Sequence, residues 1–293
     1  MPDAASPNSS PTAASKLVPG VPSALSPLVR RIVAPNPGPF TGPGTNTYLV
    51  GIDEVAVIDP GPDDKRHIDA IIGASMKERV RWVLLTHTHP DHAPGTARLV
   101  KATGAEVLAY GKRLDKDVTV TIDRVIGDGD TIEGTEFGLQ ALHTPGHAPN
   151  HLCFLLEEER VLFTGDTVLD GMFSVVSPQR GGDMTQYLAS LARLEKLRLS
   201  RLAPGHGDVI DDPKPRIQEY VAHRHDRERQ VLALLKREGP TKIPDMVTTL
   251  YADRELHPKL VEAAGWQLHA HLVRLKAEGM VKGTSVRAAW SLT

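Results

Sequence analysis

The chain has 293 residues, 40% of them hydrophobic and 24% charged, and its formal net charge is −2. This length allows one large domain and a small one, and no apolar run approaches the roughly 18 residues that a membrane-spanning helix needs. The single cysteine, Cys153, excludes an internal disulfide, favours a reducing cytosol and is expected in the core.

Residues 1–27 are rich in Ser, Pro and Ala and contain no Arg. They lack the apolar segment of a secretory signal, and the lack of Arg is unlike a mitochondrial transit peptide. We therefore expect a disordered tail over residues 1–27 and a cytoplasmic location.

Short strands, turns and helices alternate over residues 28–212. The patterns predict strands at Leu28–Val33, Thr47–Val50, Val55–Asp59, Val80–Thr86, Glu106–Tyr110, Arg124–Ile126, Phe137–Leu142, His151–Leu156, Val161–Thr164 and Arg201–Ala203. They predict helices at His67–Met76, Gly95–Thr103 and Asp183–Leu197. Strands outnumber helices, and each group of strands is followed by helices. This order indicates an α/β fold in which two sheets pack together with helices outside, an αβ/βα sandwich.

Helical periodicity dominates residues 216–293, after a predicted linker at Asp211–Pro215. Helices are predicted at Tyr220–Glu238, Pro244–Tyr251 and Pro258–Glu278, followed by a hairpin of Met280–Lys282 with Val286–Ser291. Three helices and a terminal hairpin are the order of a winged helix. Four histidines fall on these helices and are interpreted as surface or interface residues: His223, His225, His269 and His271.

Charge is unevenly distributed along the chain. Residues from Arg216 onward carry 13 Lys and Arg against 9 Asp and Glu, or +4, and the remainder carries −6. A mildly basic region of this kind is compatible with an anionic partner, although a solvated surface explains it as well.

The most informative motif is the segment His-Thr-His-Pro-Asp-His at residues 87–92. His87 and His89 follow a predicted strand, where residues two apart point the same way. Pro90 then turns the chain, so that Asp91 and His92 can serve a second, neighbouring metal ion. Imidazole and carboxylate are the ligands that zinc takes when one position must stay open for water.

Three further polar residues follow strands in glycine-containing turns. They are His147 in Thr-Pro-Gly-His, Asp166 in Phe-Thr-Gly-Asp and His206 in Pro-Gly-His-Gly. With them the ligands divide into two sets, the first with His87, His89 and His147 and the second with Asp91, His92 and His206. Asp166 is then free to bridge the two metals.

These motifs resemble those of the metallo-β-lactamase superfamily, whose five motifs occur here in order, including Asp59 in Ile-Asp-Pro-Gly. The resemblance covers roughly residues 28–211. It implies the αβ/βα fold and places Asp59 beside the metals as a supporting residue rather than a ligand. From the residues alone, Asp59 is equally well an ordinary strand-to-turn residue.

The chemistry expected of such a site is hydrolysis with two zinc ions as cofactors. A zinc pair lowers the pKa of a bound water to about 7 and stabilises charge that develops on oxygen. Asp91 would orient this hydroxide as well as bind metal. His151 is a further candidate for substrate contact, and its alternative role is that of a histidine at the start of a strand.

The segments Pro35–Pro39, Gly44–Tyr48, His223–Arg229 and Ala264–His269 resemble one subgroup of the superfamily. That subgroup includes the mitochondrial β-lactamase-like endoribonuclease, and it implies cleavage of single-stranded RNA. The alternatives are a thioester or ester hydrolase of the glyoxalase II type and a nucleic-acid-binding regulator with a vestigial metal site.

If RNA is the substrate, Arg224, Arg227 and Arg229 are expected to contact its phosphates. The competing expectation is that these arginines are buried in pairs with Asp226 and Glu228. The small domain could instead cover the active site or hold a homodimer together.

Overall fold

The computed structural model of the protein describes residues 17–111 and 120–293. One sheet is built, in this spatial order, from β1 (Ser23–Ala24), β2 (Val29–Val33), β3 (Asn46–Val50), β4 (Glu54–Ile58), β5 (Arg79–Leu84), β6 (Glu106–Ala109) and β7 (Arg124–Val125). Strands β1 to β4 pair antiparallel, and β4 to β7 pair parallel.

The second sheet contains β8 (Thr131–Glu133), β9 (Gly138–His143), β10 (Leu152–Leu156), β11 (Val161–Gly165) and β12 (Arg201–Pro204), again adjacent in chain order. Only the β11–β12 pair is parallel within it. Strand β8 is absent from the predicted elements, because its three residues, of which only Ile132 is buried, are too few for their alternation to be recognised in the sequence.

Alternating side chains of the strands divide the core into layers. In β5, Trp82 and Leu84 point into the space between the sheets, where they join Phe154 of the second sheet. Val83 and Leu85 point to the other face, together with Ile68 of a covering helix. The helices on the two outer faces are α1 (Lys65–Ala74), α2 (Thr96–Thr103) and α3 (Met184–Leu194). The predicted αβ/βα sandwich is confirmed.

The helix boundaries follow local signals. The Asp64 carboxylate accepts hydrogen bonds from the first backbone N–H groups of α1, and Asp183 caps α3 through the N–H of Gln186. Gly104 ends α2 in a left-handed conformation with φ 70°, as its position in the sequence predicts.

Residues 213–293, here called the C-terminal domain, begin with a long helix, α4 (Pro213–Glu238). After it come β13 (Thr241–Lys242), α5 (Ile243–Leu250), α6 (Pro258–Ala277), β14 (Val281–Lys282) and β15 (Ala289–Leu292). The three strands form a sheet in the order β13, β15, β14. The predicted winged helix is confirmed.

Helix α4 packs against both halves of the molecule. Ile217 and Tyr220 of its first half join α3 on the outer face of the second sheet, whereas Val231 and Leu235 belong to the core of the winged helix. The predicted linker at Asp211–Pro215 is therefore wrong from Pro213 onward. Proline fits the first helical turn, where its missing N–H leaves no bond unmade.

The predicted tail is too long in the structure. Ser23 and Ala24 pair with Arg31 and Arg30 of β2, and Leu25 packs against the core between the sheets. The disorder expected for residues 1–16 falls outside the described residues. Within the described ranges, no helix is both long and apolar enough to cross a membrane.

The strands bring the predicted metal ligands to one edge. Strands β4 and β5 are parallel, and Asp59 and the 87–92 segment follow their carboxyl ends. In the second sheet β9, β11 and β12 run in one direction, since each of the first two is antiparallel to β10 and β12 is parallel to β11. His147, Asp166 and His206 follow these three ends.

Candidate metal centre

The seven side chains predicted as metal ligands lie together at this edge. Their ligand atoms form two groups in which all atoms of a group are within 4.8 Å of one another. The first group contains His87, His89, His147 and Asp166, and the second contains Asp91, His92 and His206.

Three imidazole nitrogens meet in the first group. His89 Nδ1 lies 2.9 Å from both His87 Nε2 and His147 Nε2. Two of the three opposite ring nitrogens are hydrogen bonded: His147 Nδ1 donates to the Val175 carbonyl at 2.6 Å, and His87 Nδ1 lies 3.0 Å from the Thr86 hydroxyl. These bonds select the tautomers that direct lone pairs at the common point.

The second group combines two imidazoles with a carboxylate. Asp91 Oδ2 lies 3.1 Å from His206 Nε2 and 3.6 Å from His92 Nε2. Again the opposite ring nitrogens are occupied, since His92 Nδ1 donates to Asp59 and His206 Nδ1 to the Gly44 carbonyl.

Asp166 lies between the two groups. Its Oδ2 is 3.5 Å from His147 Nε2, and its Oδ1 is 3.3 Å from His92 Nε2 and 3.4 Å from His206 Nε2. One carboxylate oxygen thus faces each group, which is the arrangement that the bridging role requires.

Asp59 is hydrogen bonded to one histidine of the second group and, through Thr86, to one of the first group. Its Oδ2 accepts a hydrogen bond from His92 Nδ1 at 2.8 Å and one from the Thr86 hydroxyl at 2.6 Å. The Thr86 oxygen in turn accepts from His87 Nδ1, so Asp59 orients a histidine of each group. Asp59 itself is 2% exposed and lies behind the ligands, as the family resemblance implies.

His151 is also buried, and it holds Asp166 rather than facing substrate. Its Nε2 accepts the backbone N–H of Asp166 at 3.1 Å, and its Nδ1 lies near the Thr144 and Thr167 hydroxyls. Burial lowers the pKa of His151 well below the usual value, so the ring is neutral and can accept this bond. Of the two roles considered for His151, the structural one fits.

The donor set fits divalent cations. Three buried atoms that face the site have no hydrogen-bond partner among the described residues: His92 Nε2, His206 Nε2 and Asp166 Oδ1. Burial would lower the pKa of His92, but Asp91 and Asp166 outweigh it and raise this pKa well above its usual value. These surroundings favour a positive charge at Nε2, which a metal ion supplies in place of a proton.

Glycine allows the close approach of the chains around the site. A Cβ at Gly205 would lie 2.8 Å from Asp166 Oδ1 and 2.9 Å from His92 Cε1. Gly165 has φ +45°, and a Cβ there would lie 2.7 Å from His151 Nε2. These two positions explain why the ligands of this site occur next to glycine.

A loop that the sequence analysis did not single out fixes His147. Besides the Val175 carbonyl, the Ser174 hydroxyl lies 3.2 Å from His147 Nδ1. The C-terminal domain holds this loop, because Arg224 donates to the Ser174 carbonyl at 2.6 Å and the Val176 N–H donates to Gln267 at 2.8 Å. No local pattern marks the two contacts with the C-terminal domain, because they join residues 50 and 91 positions apart.

A cavity of about 580 Å³ lies over the metal centre and is lined by both domains. His89, Asp91, His147 and Asp166 are part of its wall. Much of the remaining lining is apolar and includes Phe40, Leu169, Met172, Phe173, Leu256 and Leu260.

Two of the three arginines expected to contact RNA phosphates are buried. Arg224 and Arg227 are 1% and 5% exposed, and only Arg229 lies at the surface, paired with Asp226. Arg224 is held by the Ser174 carbonyl in the part of the chain before Pro213, here called the catalytic domain, and not by the acids beside it. His223 is half-buried and stacks on Phe173 at a ring-centroid distance of 3.8 Å, which agrees with an interface residue.

The prediction that all four histidines of the C-terminal helices lie at a surface or an interface is wrong for His271. It is 0% exposed and lies 3.3 Å from Glu228 between α6 and α4, because its side chain falls on the buried face of α6. Cys153 is buried as expected, and burial raises the pKa of its thiol to about 11.

Comparison with known proteins agrees with this geometry. The metallo-beta-lactamase superfamily model matches residues 40–206, and the model for the beta-lactamase associated winged helix domain matches residues 243–290. A Caenorhabditis elegans protein named beta-lactamase-like protein 2 homolog is 34% identical over 235 residues, covering 78% of each chain. An atrochrysone carboxyl ACP thioesterase from Aspergillus fumigatus is 36% identical over 219 residues, covering 72% of this chain and 66% of that protein.

A solved structure gives the same result. The metallo-beta-lactamase family protein of Thermus thermophilus has a TM-score of 0.76 and 26% identity, covering 92% of this chain and 100% of that one. Both predicted domains are matched in order, and the predicted metal-dependent hydrolase is confirmed at the level of the superfamily. From its two sheets, its strand-end ligands and these matches, the chain belongs to the metallo-β-lactamase superfamily, with the winged helix associated with it.

Proposed function

We propose that this chain hydrolyses thioesters, with two zinc ions held by the seven-residue site. The observation that carries the proposal is the cavity of about 580 Å³ over the metal centre, with its apolar lining from both domains. A cavity of this size suits a small molecule or a flexible acyl chain. A relative at 36% identity named as an ACP thioesterase supports the same chemistry.

Two metal ions in this site would supply Lewis acidity and lower the pKa of a coordinated water to about 7. The side chains would position the reactants. Asp91 is the more exposed carboxylate of the site, with 27% of its side chain accessible against 12% for Asp166. Asp91 also lines the cavity, so it would orient the attacking water and accept its proton.

The leaving group favours a thioester over a phosphodiester. A thiol has a pKa of about 8.5 and departs as a thiolate without a proton donor. His223 is the one histidine lining the cavity outside the metal group, among the described residues. Burial, together with Arg224 and Arg227, lowers the pKa of His223 to about 3, so no imidazolium is present there to protonate an alkoxide at neutral pH.

Cleavage of single-stranded RNA is the second candidate. Trp266 and Tyr251 line the cavity, each with an arginine guanidinium over its ring, and such rings can stack on bases. Paired metals also suit phosphodiester cleavage. RNA ranks second because Arg224 and Arg227 lie buried between the domains and not on an open basic surface.

The test compares both substrates on zinc-loaded protein of measured metal content. We expect kcat/KM for acyl thioesters to exceed that for single-stranded RNA at least tenfold, with both activities abolished in Asp91→Asn. Faster cleavage of RNA than of every thioester tried would reverse the order of the two candidates.

A further inference from the structure

The wall of the cavity that the C-terminal domain contributes is basic. Arg224, Arg227 and Arg254 line it, and Arg180 joins them from the catalytic domain. The only carboxylates in the described lining are Asp91 and Asp166, and both belong to the metal centre. The cavity therefore has a metal-binding end and a part that carries only positive charge.

Arg227 is the central residue of this basic part. It is 5% exposed, its Nη1 has no hydrogen-bond partner in the described chain, and its guanidinium lies 4.3 Å from the ring centroid of Tyr251. Both acids beside it in the helix are engaged elsewhere, Asp226 by Arg229 and Gln230, and Glu228 by His271 and Arg274. Burial and the neighbouring Arg254 lower the pKa of Arg227 despite Tyr251 and Asp226.

Arg254 and Arg180 add positive charge to the wall of the same cavity. The Arg254 guanidinium lies 5.9 Å from the same Tyr251 ring, and Arg180 lies 5.2 Å from the ring of Trp266. Neither forms an ion pair with a described acid, in contrast to four arginines of the C-terminal domain that do: Arg216, Arg229, Arg237 and Arg274. Arg180 and Arg254 are exposed, whereas Arg227 is a buried cation without an acidic partner, which is costly, so the three together call for an anion.

We propose that Arg180, Arg227 and Arg254, the arginine cluster, bind an anionic group of the substrate while its thioester reaches the metal centre. The group is a phosphate or a carboxylate, because guanidinium groups match both. This inference rests on the proposed thioester hydrolysis for its substrate class. A phosphate would lie in the thiol half of the thioester, and a carboxylate in the acyl half.

The kinetic test uses three thioesters of equal acyl length on the zinc-loaded full chain. Hexanoyl-coenzyme A carries phosphates in the thiol half, adipyl-N-acetylcysteamine carries a carboxylate in the acyl half, and hexanoyl-N-acetylcysteamine carries neither. We expect one charged substrate to have a KM at least tenfold below that of the uncharged one. Arg227→Met should remove this difference in KM.

A matched control and a second variant distinguish loss of anion binding from loss of folding. Arg229→Met changes an exposed arginine of the same helix and should keep the difference in KM. If Arg227→Met fails to fold, Arg254→Met, at an exposed position of the cavity rim, should raise the KM of the charged substrate at least threefold. Equal KM values for all three substrates in the wild type would overturn the proposal.

A binding measurement tests anion binding by the arginine cluster independently of thioester hydrolysis. Desulfo-coenzyme A and adipate are titrated calorimetrically into the zinc-loaded wild type and Arg227→Met. A loss of at least tenfold in affinity for one probe supports the arginine cluster even if no thioester is hydrolysed. Equal affinities of wild type and variant for both probes overturn it even if thioesters are hydrolysed.

Discussion

Asp59 adopts a positive φ of 50°, which residues other than glycine seldom do. This conformation directs its carboxylate to the Thr86 N–H, the Thr86 hydroxyl and His92 Nδ1 at the same time. A strained backbone is retained where surrounding contacts demand it. At Asp59 these contacts are the hydrogen bonds that orient one histidine of each metal group.

Asp59 and Asp166 are expected to respond differently to substitution. Asp166→Ala removes the carboxylate between the two groups, so the metal content should fall to one per chain or less, and turnover should be lost. Asp59→Ala removes only an orienting group, and turnover should fall about 10- to 100-fold while both metals stay bound at saturating zinc. Elemental analysis and kinetics on the same samples provide the measurement, and full metal content in Asp166→Ala would show that the bridging role is misassigned.

At the scale of elements, helix α4 connects the winged helix to His147, a predicted metal ligand. Arg224 holds the Ser174 carbonyl, and the loop it holds accepts the Nδ1 hydrogen of His147. The Arg224 guanidinium also lies 5.2 Å from the Tyr187 ring, so methionine at this position would keep most of the packing.

Arg224→Met should therefore weaken zinc at the three-histidine group about 10- to 100-fold and leave the other group intact. Competition with a chromophoric chelator measures the two affinities separately. Arg229→Met is the control, because that side chain is exposed and makes no contact with the loop. Two unchanged affinities in a folded Arg224→Met protein would mean that the loop needs no support from α4.

Helices α4 and α6 are joined by a buried ionic group. The Glu228 carboxylate accepts a hydrogen bond from Arg274 at 2.6 Å and lies 3.3 Å from His271 Nδ1. Burial raises its pKa, but His271 and Arg274 outweigh this and lower the pKa from 4.5 to about 2. A lowered pKa means that the stabilising contribution is present above pH 4.5 and is lost as pH falls toward 2.

Glu228→Gln should lower the free energy of unfolding at pH 7 by about 3 kcal/mol, since it leaves the Arg274 guanidinium without its acid. The difference in melting temperature between wild type and variant should shrink as pH drops from about 5 toward about 2. Glu238→Gln, in an exposed pair with Arg237, should show neither effect. A pH-independent difference for Glu228→Gln would contradict the assigned pKa.

For the whole molecule, metal binding should link the two sheets. The ligands follow β5 in one sheet and β9, β11 and β12 in the other, so bound ions join both halves of the sandwich. Removing them should lower the melting temperature, because a ligand at 1,000 times its Kd stabilises the folded state by about 4 kcal/mol.

We expect two zinc ions per chain, and chelation should lower the melting temperature by several degrees in a manner that zinc reverses. Differential scanning calorimetry with elemental analysis measures both quantities. A stoichiometry that stays at or below one after zinc addition would rule out the paired site.

Much of this protein follows from the sequence alone, because the signals are local. Ligand spacing in 87–92 and glycines beside His147, Asp166 and His206 predict the metal centre, and caps such as Asp183 predict helix ends. These patterns act within a few residues, where strand and turn geometry leave few alternatives.

Only the tertiary structure decided how the C-terminal domain meets the metal centre. Arg224 and Arg227 belong to a helix whose many charges indicate a solvated surface, yet the catalytic domain and Tyr251 bury them. Their partners lie far away in the chain, as Ser174 does from Arg224, and a basic charge count cannot distinguish a surface patch from a cavity wall. Burial and pairing depend on which faces pack together, and sequence spacing carries that information only within one element.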